Sequence, residues 1–253
     1  MLLEKDSNVP KVRIYESRKL MGAAAASRLA REIDAVLKNK DAVNIIFAAA
    51  PSQNEFLTAL FYEPVKWEHV NAFHMDEYIN LDENAEQRFG NFLKERIFDK
   101  FNFKSVHYLD GNVDDIQSEC NRYSRLLENY PVDIVCMGIG ENGHLAFNDP
   151  PVANFTDPEM VKVVTLDLPC RQQQVNDGCF ASLEEVPTQA LTLTIPALMS
   201  ASVINCVVPG SAKAQAILNT LTKPIGSDFP STALRNHTGA VLFLDMDSSR
   251  YIR

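Results

Sequence analysis

Residues 132–144, VDIVCMGIGENGH, join an apolar run to a glycine-rich turn, and the reading of that junction decides what kind of α/β protein this is. Val132–Met137 has the length and apolar continuity of a buried strand. The spacing Gly138-x-Gly140-x-x-Gly143 that follows matches the turn that holds a dinucleotide pyrophosphate. Such a turn needs a helix to begin at its third glycine, because the amides and dipole of the first helical turn bind the anion. Here the continuation is HLAFNDPP, ending in Pro150 and Pro151. Prolines that close behind the turn exclude the body of a crossover helix, since an interior proline loses a hydrogen bond and clashes with the preceding turn. The nicotinamide reading therefore fails, and no cofactor is expected. The glycines instead let a tight turn bring His144 to the rim of a sheet, with Asn142 and Asp149 close enough in sequence to orient it.

Outward from this junction, strand-length and helix-length segments alternate. KVRIY (11–15) reads as a strand and leads through Ser17 into LMGAAAASRLAREIDAVL, where apolar residues recur at helical spacing. VNIIFAAA (43–50) reads as a buried strand, and Pro51-Ser52 opens a helix over QNEFLTALFY. HVNAFHMDEYI (69–79) reads as one strand, residues 91–101 and 114–129 as helices, and VVTLD, LTLTI, SVINCVVPG and GAVLFLD as further strands. SAKAQAILNTL (211–221) reads as a helix directly after a strand. This pattern predicts an α/β fold: a single-domain α/β/α sandwich over residues 1–253 with a mostly parallel, Rossmann-like sheet, whose ligands bind beyond the carboxyl ends of the strands. The least regular segment, 152–187, is expected to include a loop-rich lid.

Composition narrows the function classes. With 253 residues, 46% of them hydrophobic, the chain can bury a sizeable core. A formal charge of -9 argues against a nucleic-acid partner, whose phosphate backbone demands a basic face. No stretch approaches the ~18 apolar residues of a membrane span, and the N-terminal MLLEKDSNVPKV carries no apolar signal core. Five scattered cysteines without C-x-x-C spacing read as buried thiols rather than a metal or redox site. The expectation is a cytoplasmic protein with neither membrane nor metal.

A second chemical group should stand at the end of another strand if His144 is a catalyst. FHMDEY supplies Asp76 and Glu77. Adjacent strand residues point to opposite faces, so one carboxylate faces a pocket while the other binds backbone or a cation.

The motifs FHMDEYINL (73–81), GIGENGHLAFNDP (138–150), VPTQALTLTIPALMSA (186–201) and VVPGSAKAQAI (207–217) together resemble the glucosamine-6-phosphate deaminase/isomerase family, relatives of the 6-phosphogluconolactonases. The resemblance covers most of the chain, and HMDEY with GHLAFNDP is similar to the deaminase branch. It implies a phosphosugar substrate, glucosamine 6-phosphate, turned without cofactor into fructose 6-phosphate and ammonium. It implies that Asp76 moves a proton between C2 and C1 and that His144, held by Asp149 and Asn142, opens the sugar ring. Glu77 and Gly143 fall within the same motifs and are expected to contact substrate. The phosphate is expected at the turn of Ala50, Ser52 and Gln53, with Lys213 and Arg171 as its cations. The resemblance also leans toward a homo-oligomer. A lactonase-like hydrolase and a sugar-phosphate sensor without turnover are the competing expectations.

The chain departs from that family at three places. The first turn is Ala48-Ala49-Ala50-Pro51-Ser52 where relatives are often rich in glycine and threonine, so fewer positions there adopt positive φ freely. Asn142 stands where aspartate is frequent, and Asp149 is one methylene shorter than the frequent glutamate.

Overall fold

The computed structural model describes residues 3–5 and 10–253, with side chains from Pro10 onward; the sequence reading of residues 1–9 falls mainly outside this set. Among the described residues, eight strands form one sheet in the order β1-β2-β11-β10-β7-β3-β4-β6. These are β1 (Leu3–Lys5), β2 (Lys11–Tyr15), β3 (Val43–Phe47), β4 (Val70–His74), β6 (Ser105–His107), β7 (Ile134–Met137), β10 (Val203–Val208) and β11 (Ala240–Asp245). Every pairing is parallel except β1 with β2. A second, antiparallel sheet joins β5 (Asp76–Tyr78), β9 (Gln189–Leu193) and β8 (Val161–Thr165).

The helices cover both faces of the large sheet. They are α1 (Arg18–Leu37), α2 (Asn54–Ala59), α3 (Phe89–Leu93), α4 (Ile116–Asn129), α5 (Leu168–Asn176), α6 (Ile195–Met199) and α7 (Ala214–Thr222). Alternation along the strands divides the core: Ile45, Phe47, Ile134 and Cys136 pack with α1 and α2, while Ile46, Val135 and Met137 pack with α4, α6 and α7. The mostly parallel α/β architecture read from the sequence is therefore the one observed.

Helix α1 begins where Ser17 accepts from the Leu20 amide. It buries Met21, Ala25, Leu29 and Ile33 at helical spacing. Removing a side chain such as Leu29 from this interface costs roughly 2–5 kcal/mol. Gly22 lets α1 and α2 touch: a Cβ there would come within 2.6 Å of the Glu55 carbonyl carbon. That contact fixes the turn after β3.

HVNAFHMDEYI is two strands rather than one. β6 reaches only as far as Phe73, and beyond it the Tyr123 hydroxyl takes over both backbone groups of His74, accepting from its N–H at 3.1 Å and donating to its carbonyl at 2.8 Å. The chain then leaves the large sheet, the Met75 carbonyl accepts from Leu193 N, and Asp76–Tyr78 pair with β9. This crossing carries Asp76 over the carboxyl end of the large sheet.

β3 and β7 are neighbours, but their onward connections run in opposite directions, β3 toward β4 and β7 toward β10. A crevice opens at such a switch point.

Candidate active site

A cavity of about 520 Å³ occupies that crevice. Four strand ends contribute to it: Ala48–Gln53 after β3, Met75 and Asp76 after β4, Gly138–Gly140 and His144 after β7, and Pro209–Lys213 after β10. Asp76, His144, Lys213, Ala50, Ser52 and Gln53, assigned from sequence, all line it.

The loop after β7 contains no helix, and its hydrogen bonds close it on itself. Gly140 N donates to the His144 carbonyl, Gly143 N donates to the Gly140 carbonyl, and Gly143 adopts φ +89°. His144 Nδ1 lies 3.0 Å from Asp149 Oδ1, and Asn142 Nδ2 donates to that same oxygen at 2.7 Å. Asn142 Oδ1 in turn accepts from His144 N. Asn142, Gly143 and Asp149 do not line the cavity; they stand behind His144 and hold it. The imidazole lies flat on Gly140, where a Cβ would meet Cε1, Nε2 and Nδ1 at 2.2–2.4 Å.

Burial opposes ionisation of Asp149, but His144, Asn142 and the Cys170 thiol outweigh it and keep its carboxyl below the usual range. Cys170 Sγ, a His144 ring nitrogen and an Asp149 oxygen lie within 4.8 Å of one another, all buried. Those are metal-ligand types. Burial first, and then the charge of Asp149, push the Cys170 thiol upward, which disfavours the thiolate that a metal would need.

Asp76 is 8% exposed and faces the cavity. Burial, reinforced by the neighbouring Glu77, raises its carboxyl well above the ordinary value. A carboxylate in that condition is a stronger base than one in water. Lys213 is 7% exposed and lines the cavity, and among the described residues its ammonium makes no hydrogen bond or close salt bridge. Burial lowers its pKa, while Asp177 and Glu141 oppose the shift.

A family model described as "Glucosamine-6-phosphate isomerases/6-phosphogluconolactonase" matches residues 16–243. The chain belongs to this family. The glucosamine-6-phosphate deaminase of Bacillus cytotoxicus is 31% identical over 216 residues, covering 85% of this chain and 80% of that protein. The deaminase of an Exiguobacterium species is 36% identical over 177 residues, 70% of this chain and 68% of its own. A solved monomeric glucosamine-6-phosphate deaminase superimposes with a TM-score of 0.85 at 27% identity, over 94% of this chain and 98% of that one. A 6-phosphogluconolactonase from Thermotoga maritima, at 18% identity and TM-score 0.73, shares the fold.

Three family-based expectations are corrected. Glu77 does not reach the cavity: it is wholly buried, accepts from the amides of Tyr78, Phe89 and Gly90, and lies 3.7 Å from the Arg88 guanidinium. It is the member of the acidic pair that binds backbone and a cation. Arg171 is also turned away, its guanidinium donating to the carbonyls of Leu183 and Val186, where it ties α5 to the segment that follows. Gly143, expected to contact substrate, does not line the cavity, its N–H being taken by the Gly140 carbonyl. Gln53 does line it. Its amide donates to the Ala50 carbonyl and its Nε2 to Ser52 Oγ and the Val207 carbonyl.

Sequence reasoning missed Gln173, Gln174 and Cys179 on and after α5, and Arg18 and Arg96, all of which line the cavity. Gln173 Oε1 accepts from Glu141 N, so α5 also supports the loop that carries His144. CRQQQVN offered no periodicity to separate its inward glutamines from its outward ones.

Proposed function

We propose that this chain converts glucosamine 6-phosphate and water into fructose 6-phosphate and ammonium, and that Asp76 and His144 carry the chemistry. The observation that supports this reading is the enclosure of one raised carboxyl, one oriented imidazole and one unpaired ammonium in a single cavity at the switch point. His144 Nε2, the ring nitrogen left free by the Asp149 contact, exchanges a proton with the ring oxygen and opens the pyranose. Asp76 then removes the proton at C2 of the open-chain aldehyde and returns it to C1. The product is a C2 iminium, to which water adds; ammonium leaves and the C2 ketone remains. Every proton taken up by Asp76 goes back to the sugar, so no redox cofactor enters the balance.

Lys213 binds the phosphate. The segment 152–187 acts as the lid: it contributes Gln173, Gln174 and Asp177–Cys179 to the wall, and closing it excludes water from the enediol-like intermediate. The whole chain works as one domain in the cytoplasm. Among the described residues no helix is long and apolar enough to cross a membrane. Assembly into a homo-oligomer is the family expectation, against the monomeric state of the 27% identical deaminase, and light scattering against the 28.3 kDa chain mass decides between them.

The test is proton NMR of glucosamine 6-phosphate with the protein in D₂O, with ammonium assayed in parallel. Fructose 6-phosphate bearing deuterium at the exchanged carbon, with one ammonium per turnover, supports the proposal. Hydrolysis of 6-phosphogluconolactone without C2 exchange would replace it with the lactonase reading. Binding of the sugar phosphate without product would replace it with the sensor reading.

A further inference from the structure

We propose that Arg96 is the second phosphate-binding cation of the cavity, taking the place that the sequence reading gave to Arg171. The inference rests on the sugar-phosphate reading above. A phosphate ester is close to a dianion at neutral pH, and Lys213 supplies one charge. The turn after β3 supplies little more, because Pro51 has no amide hydrogen and the amides of Gln53 and Asn54 are used within the turn. A further donor is needed.

The other cations that line the cavity are Arg18 and Arg96. Arg18 is already neutralised by a two-pronged pair with Glu55, at 2.8 and 3.1 Å. Arg96 is held but not used up. Its Nε donates to Asn54 Oδ1 at 3.1 Å, and its guanidinium carbon lies 3.8 Å from the centroid of the Phe92 ring. Nη1 meets Glu95, whose side chain is 71% exposed, so that contact is screened by water and easily exchanged. Nη2 has no partner among the described residues.

Position agrees with this donor count. Asn54, the anchor of Arg96, follows Ser52 by two residues. The Gln53 carboxamide joins that turn to Val207 at the end of β10, the strand that leads into Lys213. Ser52, Lys213 and Arg96 all line the cavity, and the turn after β3 links the elements that carry them. Arg96 also lies within a π-helical turn, Lys94–Phe98, a distortion that recurs at functional sites. The planar fork of the guanidinium, fixed through Nε and its ring face, presents Nη1 and Nη2 to phosphate oxygens at little entropic cost.

The experiment measures inorganic phosphate and glucosamine binding by calorimetry, and glucosamine 6-phosphate turnover, for the wild type, Arg96→Gln and Arg96→Lys. Arg96→Gln is expected to weaken phosphate binding and raise KM by roughly 10- to 100-fold, with kcat within about threefold and glucosamine binding unchanged. Arg96→Lys keeps the charge but loses the fork and should recover part of the loss. Should Arg96→Gln lose stability, Asn54→Ala reads the same contact by freeing the guanidinium, and a smaller rise in KM is expected. Phosphate binding and KM within about twofold of wild type, or equal losses for phosphate and glucosamine, would overturn the proposal. A wild type that binds phosphate through Arg96 but leaves glucosamine 6-phosphate unchanged would remove the deaminase reading and keep this one.

Discussion

His144 Nδ1 approaches Asp149 Oδ1 at 3.0 Å, and the amide of Asn142 occupies the same oxygen at 2.7 Å. That geometry leaves Nε2 free, and in the proposed ring opening Nε2 would face the sugar while the carboxylate stabilises the imidazolium formed when Nε2 takes a proton. Asp149→Asn removes that charge and should lower kcat by about 10²- to 10³-fold with little change in KM. Asn142→Ala leaves the charge and loosens the carboxylate, for which about tenfold is expected. Steady-state kinetics decide it. A kcat for Asp149→Asn within about threefold of wild type would mean that the pair does not set the working tautomer.

Gly140 is the floor beneath the imidazole. A methyl group there would overlap the ring, and the residue's own backbone cannot retreat because it hydrogen-bonds to both His144 and Gly143. Gly140→Ala is expected to fold with a near-native melting curve while losing about 10²-fold or more in kcat, the usual consequence of misplacing a reacting group by an ångström. A variant with both normal stability and normal turnover would show that His144 works equally well elsewhere.

Asp76, the proposed base, also shapes the pH dependence of folding. Its carboxyl titrates near 3.8 in the unfolded chain and well above that when folded, through burial first and Glu77 second. Between those values the folded protein keeps a proton that the unfolded chain has lost, so this group's stability contribution is full below pH ~4 and is lost as pH rises. Asp76→Asn should therefore be more stable than wild type at pH 7 to 8 and equal to it near pH 4. It should also abolish C2 deuterium exchange while still binding sugar phosphate. Urea titrations across that range, with exchange measured by NMR, test both halves, and retained exchange removes Asp76 as the base.

The parts of this site that could be read in the chain are those where backbone chemistry has few solutions. GIGENGH followed by Pro150-Pro151 admits a closed turn and not a helix, and FHMDEY ends a strand in carboxylates. The break at Met75 was hidden because HVNAFHMDEYI carries no glycine or proline to mark a turn, and it depends on Tyr123, 49 residues away from His74. Arg96 in LKERIF looks like an ordinary solvated helix face; a π-helical turn and a neighbouring phenylalanine place it on the cavity instead. Arg171 and Glu77 were misplaced for the converse reason. Their sequence neighbours belong to the motifs, but their polar atoms are satisfied by backbone groups that no linear pattern reveals.

His74, next but one to Asp76, gives the opposing pH dependence. Burial holds its pKa at about 3, with the Asp76 carbonyl resisting and the Arg88 guanidinium assisting, while its Nε2 accepts from Leu109 N at 2.9 Å. Between about pH 6.5 and 3 the unfolded chain takes up a proton that the folded protein refuses, so stability is lost as pH falls, at no more than about 1.4 kcal/mol per pH unit. Asp76 and His74 thus pull in opposite directions over the acid range, and each variant exposes the other group. Asp76→Asn should show a steeper loss of stability below pH 6.5 than wild type. His74→Gln retains an acceptor for Leu109 and should show stability that only declines as pH rises from 4 to 7. Unfolding free energies of the two variants measured side by side decide the assignment: parallel curves would mean that neither buried group governs the acid limb.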